Sequence, residues 1–214
     1  MKKTINIISV LAVAVILGFV AYSFLASPKV PQTFIDKHNE TVALEKEATQ
    51  LSDLTSMPEL KALDKQMSDQ NYAEALKSVE SALSRKKDAA AKLSSIDSKL
   101  AELKAISGEI TDSKTKTSAE NFIEVAKKEN LAKINYNNLQ MQMLEKLEAM
   151  IGILVKNSKA ISAADEKTIN DLGKQIDDLK DQFGKAEGEV DKIQSQYKEA
   201  EKEFFGLAGL EIAK

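Results

Sequence analysis

The chain has no cysteine, no tryptophan and one histidine, His38, among its 214 residues. Without cysteine it cannot form disulfides, thiolate metal sites, a cysteine nucleophile or a lipidated N-terminal cysteine. One imidazole leaves little from which zinc binding or histidine-based catalysis could be built. We therefore predict that no residue of the chain is catalytic, cofactor-binding or metal-binding, that no cofactor is required, and that the protein is not an enzyme.

Residues that form turns and strands are also scarce. There are three prolines, all at or before Pro58, eight glycines, seven phenylalanines and four tyrosines. A β-rich fold needs turn residues at short intervals and β-branched or aromatic residues between the turns. Their scarcity excludes such a fold and predicts an all-α protein.

Clustered positive charge is missing too. The chain has 30 basic and 33 acidic residues, and Arg85 is its only arginine. Residues 163–214 alone hold 13 acidic and 8 basic groups. Because binding to phosphates requires a clustered basic surface, we expect no nucleic-acid partner.

The longest apolar run lies at the N-terminus. After Lys2 and Lys3, the 22 residues from Ile5 to Ala26 carry no charge. A helix of that length spans a hydrocarbon layer of roughly 30 Å. We therefore predict a membrane anchor over residues 1–27 that contacts the lipid bilayer through residues 5–26. The alternative is a cleaved secretory signal, since Ala21-Tyr22-Ser23 fits the small-residue cleavage rule.

Both interpretations of this segment export the remainder of the chain. Lys2 and Lys3 favour an N-terminus on the cytoplasmic side, so residues 28–214 are expected to be extracytoplasmic and anchored, or secreted if the signal is removed. Residues 28–32 contain Pro28 and Pro31 and predict an extended spacer, because each proline disfavours a helical conformation in the preceding residue.

Apolar periodicity predicts helices throughout the bundle at residues 33–214. Their expected bounds are about 33–54, 58–67, 71–107, 118–157 and 163–207. Ser56 with Glu59, and Thr117 with Glu120, have the spacing of capping boxes. The last helix starts after Ser162, which has Asp165 three residues on.

The last helix has the most regular pattern in the chain. Apolar residues alternate at spacings of three and four, which is typical of a left-handed coiled-coil seam. They are Ile169, Leu172, Ile176, Leu179, Phe183, Ala186, Val190, Ile193, Tyr197, Ala200, Phe204 and Leu207. Aromatic residues opposite Ala186 and Ala200 favour a dissimilar partner helix. We predict an elongated antiparallel bundle within one chain, with a homo-oligomer through the same seam as the alternative.

The helix at 71–107 contains an apparent break in its apolar pattern. The apolar positions up to Ala90 cluster on one side of the helix. Those from Leu93 onward cluster on a different side of the same helix. The offset falls at residues 85–88. It predicts a change of partner, a bend or an exposed polar girdle there.

Three groups of side chains could suggest a binding site, and each has a simpler explanation. His38 with Glu40 and Glu45 could be half of a metal site, but we expect a surface histidine. Three aspartates could suggest calcium and three methionines copper, but we expect a solvated helix face and core packing. These residues are Asp177, Asp178, Asp181, Met141, Met143 and Met150. Asn39-Glu40-Thr41 is a glycosylation triplet of the kind that arises by chance.

One short segment resembles a known repeat. Asn71 to Leu76, with Val79, Ala82 and Leu83, looks like the second helix of a tetratricopeptide repeat. No 34-residue period recurs in the chain, and we assign no family from this match.

These observations favour a structural or protein-interaction role in the cell envelope, with an unknown protein partner and a possible homo-oligomer. The alternative is a ligand-binding or sensory bundle, with a pocket near Lys86 or along the stripe from Tyr136 to Met150.

Overall fold

The computed structural model describes residues 29–54, 57–157 and 160–210, and six helices occupy most of these ranges. They are α1 (Gln32–Ser52), α2 (Pro58–Lys61), α3 (Leu63–Ser68), α4 (Tyr72–Ser107), α5 (Ser113–Lys156) and α6 (Ala163–Ala208). No strand occurs in the described ranges, and the helices pack against one another. The prediction of an all-α fold is confirmed.

The anchor predicted over residues 1–27 lies outside the described residues. Among the helices between residues 29 and 210 that are described, none is long and apolar enough to cross a membrane. Of the spacer predicted at 28–32, residues 29–31 are described and are not helical, and α1 begins at Gln32.

Helix α5 begins at Ser113 rather than at 118, because its cap is not the predicted one. The Oδ2 atom of Asp112 accepts hydrogen bonds from the backbone N–H and the hydroxyl of Thr115, at 2.8 and 2.6 Å. These bonds satisfy a free donor of the first turn, as an N-cap residue does, and they lower the pKa of Asp112. The capping box predicted at Thr117 and Glu120 is therefore wrong, since both residues lie inside the helix.

The single helix predicted at 58–67 is divided into α2 and α3 by a turn at Ala62. Ser56 lies outside the described residues, and Met57 at the N-cap makes no side-chain capping bond. Glu59 instead accepts a hydrogen bond from Ser81 at 3.1 Å and lies 3.6 Å from Arg85. Helices of this length are not stable alone, so packing decides where they end.

Helix α6 has the reciprocal cap that its sequence indicates. The hydroxyl of Ser162 accepts from the N–H of Asp165 at 3.1 Å, and the carboxylate of Asp165 accepts from the backbone N–H of Ser162 at 3.4 Å. Two donors at the start of the helix are satisfied in this way.

The contacts divide the chain into two units. Among the described residues, unit 1 comprises 29–50, 91–134 and 189–210. Its core combines aliphatic residues with a group of aromatic rings: Phe122 stacks on Phe204 with ring centroids 5.7 Å apart, and the ring of Phe34 lies 5.3 Å from that of Phe204. Contacts between α4 and α5 in this unit run in opposite chain directions, as the pairs Leu93 with Asn130 and Lys104 with Glu124 show.

Unit 2 comprises the described residues within 51–90 and 135–188. Small and branched residues of α4 pack against Leu144 and Ile151 of α5, and the short helices α2 and α3 add Leu60 and Leu63. The α6 part of this unit packs through Leu179 and Ala186.

The apolar row predicted along α6 is confirmed as an inward face. None of its twelve residues is exposed: Leu179, Ala186, Ala200 and Phe204 are buried, and the other eight are half-buried. Within unit 2, Phe183 stacks on Tyr136 with ring centroids 4.6 Å apart. The row therefore packs on side chains of the same chain.

Candidate functional site

The middle of α5 buries several long polar side chains. Glu129, Asn130, Asn137 and Gln140 are buried, and Lys133 is half-buried. A buried polar group costs free energy unless it is hydrogen-bonded, so the partners of these groups define the candidate site. They form two clusters, one in each unit.

The cluster of unit 1 is centred on Lys133. Its ammonium group bonds to the carboxylate of Glu45, from α1, and to that of Glu129, one turn earlier on α5, at 2.9 Å. Burial lowers the pKa of Lys133, but the two carboxylates outweigh burial and the pKa lies above its ordinary value. Burial raises the pKa of Glu129, which is only 3% exposed.

Helix α6 adds a third carboxyl group to this cluster. The hydroxyl of Tyr197 donates to Glu201 at 3.5 Å. Burial, and then the negative charges of Glu45 and Glu129, raise the pKa of Glu201 to about 7. Glu201 is thus close enough to Glu45 and Glu129 for their charges to act on it, and repulsion between like charges favours its protonated form.

His38 lies in the core of unit 1, so the prediction of a surface histidine is wrong. Its side chain is 7% exposed, and its ring lies 5.5 Å from that of Phe122 and 5.3 Å from that of Phe205. Burial lowers its pKa to about 4, and the ring is therefore neutral at pH 7. Helical register places His38 on the inner face of α1, three residues before the buried Thr41.

The acidic residues suggested as metal partners of His38 form ion pairs with lysines instead. Glu40 forms ion pairs at 2.8 Å with Lys37 and with Lys99, and Glu45 bonds to Lys133. In the described ranges, no group of three or more His, Asp or Glu side chains is placed to hold a metal ion.

A small cavity lies inside unit 1 beside the cluster. Its volume is about 20 Å³, and its walls include Thr41, Glu45, Glu129, Asn130 and Tyr197. A cavity of this size accommodates one water-sized molecule.

The cluster of unit 2 is centred on Lys86, which has no exposed surface. Its ammonium group donates to the main-chain carbonyl of Ser52 and to the side-chain oxygen of Gln140. The side chain of Asn137 donates to the carbonyl oxygen of Lys86 at 3.2 Å and accepts from the Ser52 hydroxyl at 3.4 Å. Burial lowers the pKa of Lys86 to about 7, although the negative charge of Asp53 opposes this shift.

Burial of Lys86 accounts for the apparent break in the apolar pattern of α4. Lys86 lies three residues after Leu83 and four before Ala90, so it occupies a core position in an unbroken spacing of three and four. The prediction of an exposed polar girdle is therefore wrong at Lys86, while Lys87 and Asp88 are exposed. A lysine fills the position at which the pattern lacks an apolar residue.

The aspartates of α6 lie on a solvated helix face, as the sequence predicts. Asp177, Asp178 and Asp181 are all exposed, and Asp177 forms an ion pair with Lys180 at 2.8 Å. They lie on the outer face of the helix.

The methionines of α5 are half-buried but belong to different apolar groups. Met141 packs with Leu144 and Ile151, whereas Met143 packs with Leu139 and Leu179. Asn39 of the glycosylation triplet is exposed on α1.

Comparison of the chain with protein-family models, with curated proteins and with solved structures found no match.

Proposed function

We propose that the protein is a non-enzymatic structural or protein-interaction module. In this proposal an antiparallel helical bundle of coiled-coil type is held at a membrane by residues 5–26, and residues 28–214 act outside the cytoplasm. The observation that carries the proposal is the division of α6, over its 46 residues, into an inner apolar row and an outer polar face.

The inner row of α6 is occupied by the chain itself. In unit 1, Tyr197 lies against Phe122 with ring centroids 5.3 Å apart, and Phe204 stacks on Phe122. In unit 2, Phe183 stacks on Tyr136. These contacts favour an intramolecular bundle over a homo-oligomer formed through the same seam.

The outer face of α6 is where a partner would bind. Between Asp165 and Ala208 its exposed residues are charged, amide, hydroxyl or glycine residues, among them Asp178, Asp181, Lys185 and Glu203. A partner of such a face is recognised through ion pairs and hydrogen bonds. Because exposed charges are screened by salt, its binding weakens as the ionic strength rises.

The membrane attachment in this proposal rests on the sequence of a segment outside the described residues. Lys2 and Lys3 precede an uncharged run of membrane-spanning length. Extraction of native membranes with alkaline carbonate, together with the mass of the mature chain, separates an anchored protein from a secreted one. Loss of the N-terminal segment from the mature mass would show secretion.

Photocrosslinking in cells that make the protein natively tests the interaction role. A photoreactive amino acid is placed at the exposed positions Asp178 and Asp181 and, as the control, at the buried Leu179 of the same helix. We expect the exposed positions to give a crosslinked partner that is lost at high salt, and Leu179 to give none. An exposed face that captures no protein at any position contradicts the proposal.

A ligand-binding or sensory bundle is the second candidate. The regions in which its pocket was expected are occupied by side chains: Lys86 bonds to Gln140, and Tyr136 packs on Phe183. A thermal-shift screen against small-molecule pools separates the candidates, because a specific ligand raises the melting temperature. A substrate screen tests the prediction that the protein is not an enzyme.

A further inference from the structure

Asn130 has a buried oxygen that is not satisfied by the protein. The residue is 3% exposed, and its Oδ1 atom has no hydrogen-bond partner among the described residues. Its side-chain nitrogen donates to the main-chain carbonyl of Leu93 at 3.0 Å. That bond fixes the orientation of the amide, because the reversed orientation would place two oxygens against each other. The unsatisfied atom is therefore an acceptor.

Asn130 lines the cavity of unit 1, together with the ion-paired groups of the Lys133 cluster. Lys133 has three N–H donors, and the carboxylates of Glu45 and Glu129 account for two of them. The hydroxyl of Thr41 donates to the carbonyl of Lys37 at 2.9 Å, so its oxygen retains acceptor capacity. The walls of the cavity thus carry both a donor and acceptors.

We propose that this cavity is a binding site for one ordered water molecule, which donates to Oδ1 of Asn130 and links it to the Lys133 cluster. The volume of about 20 Å³ matches one water. A water has two donors and two acceptors, so it can donate to Asn130 and to a carboxylate while it accepts from Lys133.

A metal ion is a poorer match for the same cavity. The ammonium group of Lys133 already lies between Glu45 and Glu129 and neutralises one of their charges. A second cation beside it would be repelled, and the cavity walls do not place three acidic or histidine ligands around one point.

A high-resolution crystal structure of the full chain tests the water site. We expect one density peak within about 2.6–3.2 Å of Oδ1 of Asn130, with partners that fit a water. An empty cavity, or a peak whose anomalous signal and short ligand distances identify a metal ion, would overturn the proposal. So would a peak seen only when ammonium salts are present.

Variants of Asn130 provide a second test that does not depend on crystals. In solution, a long-lived water gives a nuclear Overhauser effect to the side-chain amide of Asn130 and to its neighbours. Asn130→Leu has a similar volume and removes the acceptor, and we expect it to abolish this signal at Thr41 and Tyr197. Asn121→Leu, at an exposed position of the same helix, is expected to leave the signal unchanged. A signal that persists in Asn130→Leu, or is missing in the wild type, contradicts the proposal.

Discussion

Lys86 of α4 donates its ammonium group to the main-chain carbonyl of Ser52, the last residue of α1. The last turn of α1 has no basic residue of its own. The carbonyl end of a helix carries partial negative charge, and a cation placed there is favourable. Lys86 therefore caps α1 from another helix, and α1 and α4 are joined by a polar contact as well as by apolar packing.

Substitution of Lys86 by methionine should change how stability depends on pH. The pKa of Lys86 is 10.5 in its ordinary state and about 7 in the folded protein. Between these values the unfolded chain holds a proton that the folded chain has released. The free energy of unfolding therefore rises with pH from about 7 to 10.5, with a contribution of up to about 1.4 kcal/mol per pH unit.

Urea unfolding at a series of pH values checks this prediction. Lys86→Met cannot bind the proton, so we expect its stability curve to lack the rise above pH 7. Lys87→Met is the matched control, because Lys87 is the exposed neighbour, and it should retain the rise. Equal slopes in the two variants would show that folding does not lower the pKa of Lys86 and would contradict the prediction.

Glu201→Gln should change how stability depends on pH below 7, whereas Lys86→Met acts above 7. The folded protein holds the proton of Glu201 up to about pH 7, whereas the ordinary pKa is 4.5. Between these values the folded chain binds more protons than the unfolded chain, so the contribution of Glu201 to stability declines as pH rises from 4.5 to 7. We expect the Glu201→Gln variant to lack this decline. Its free energy of unfolding should therefore increase relative to that of the wild type as pH rises from 4.5 to 7.

Unfolding curves from pH 4 to 8 measure this effect, with Glu203→Gln as the control at an exposed position of α6. If the pH dependence of stability is the same in Glu203→Gln and the wild type but differs in Glu201→Gln, the result supports a buried carboxyl group at Glu201. If Glu201→Gln also follows the wild type, the carboxyl of Glu201 is solvated.

His38 can be titrated directly, because it is the only histidine of the chain and gives one set of imidazole signals. Burial among aromatic rings lowers its pKa to about 4. From pH 4 to 6.5 the unfolded chain binds a proton at His38 that the folded chain does not, so the contribution of His38 to stability is lost as pH falls through this window. We expect an NMR titration midpoint near pH 4. A midpoint near 6.5, the ordinary value, would place His38 at the surface.

Phe122→Ala should destabilise unit 1 strongly. The ring is 1% exposed and contacts the rings of His38, Tyr197 and Phe204. Loss of a buried phenylalanine costs about 3–5 kcal/mol. Leu131→Ala, at a position of the same helix that is 59% exposed, should change the free energy of unfolding little. Denaturant unfolding compares the two, and similar losses would contradict the assigned core.

Most of the fold could be predicted from apolar spacing. In α6 every third or fourth residue is apolar, and that regularity identified both the helix and its inner face. The capping pair Ser162 and Asp165 marked its start, because the chemistry of a cap is local in sequence. The start of α5 was misplaced, since Asp112 competes with Thr117 as a cap and spacing alone does not rank them.

The candidate site could be predicted much less well. Glu45 and Lys133 are separated by 88 residues, and no local pattern indicates that they meet. Polar residues were interpreted as exposed, so Lys86, Asn130 and His38 were assigned to the surface or left out. Register was the available signal: Lys86 lies at core spacing from Leu83 and Ala90. Register alone does not predict burial of a lysine, because that burial has a free-energy cost that only tertiary partners offset.

The central claim is that the inner row of α6 packs within its own chain and leaves a polar face for a partner. The chain has no cysteine, so a Tyr136→Cys, Phe183→Cys variant carries only the two introduced thiols, at positions whose rings are 4.6 Å apart. A mixture of isotopically light and heavy chains is treated with a short bismaleimide and analysed by mass spectrometry. We predict crosslinked peptide pairs that are entirely light or entirely heavy, in a product of monomer mass. Mixed pairs in a product of dimer mass would contradict the claim.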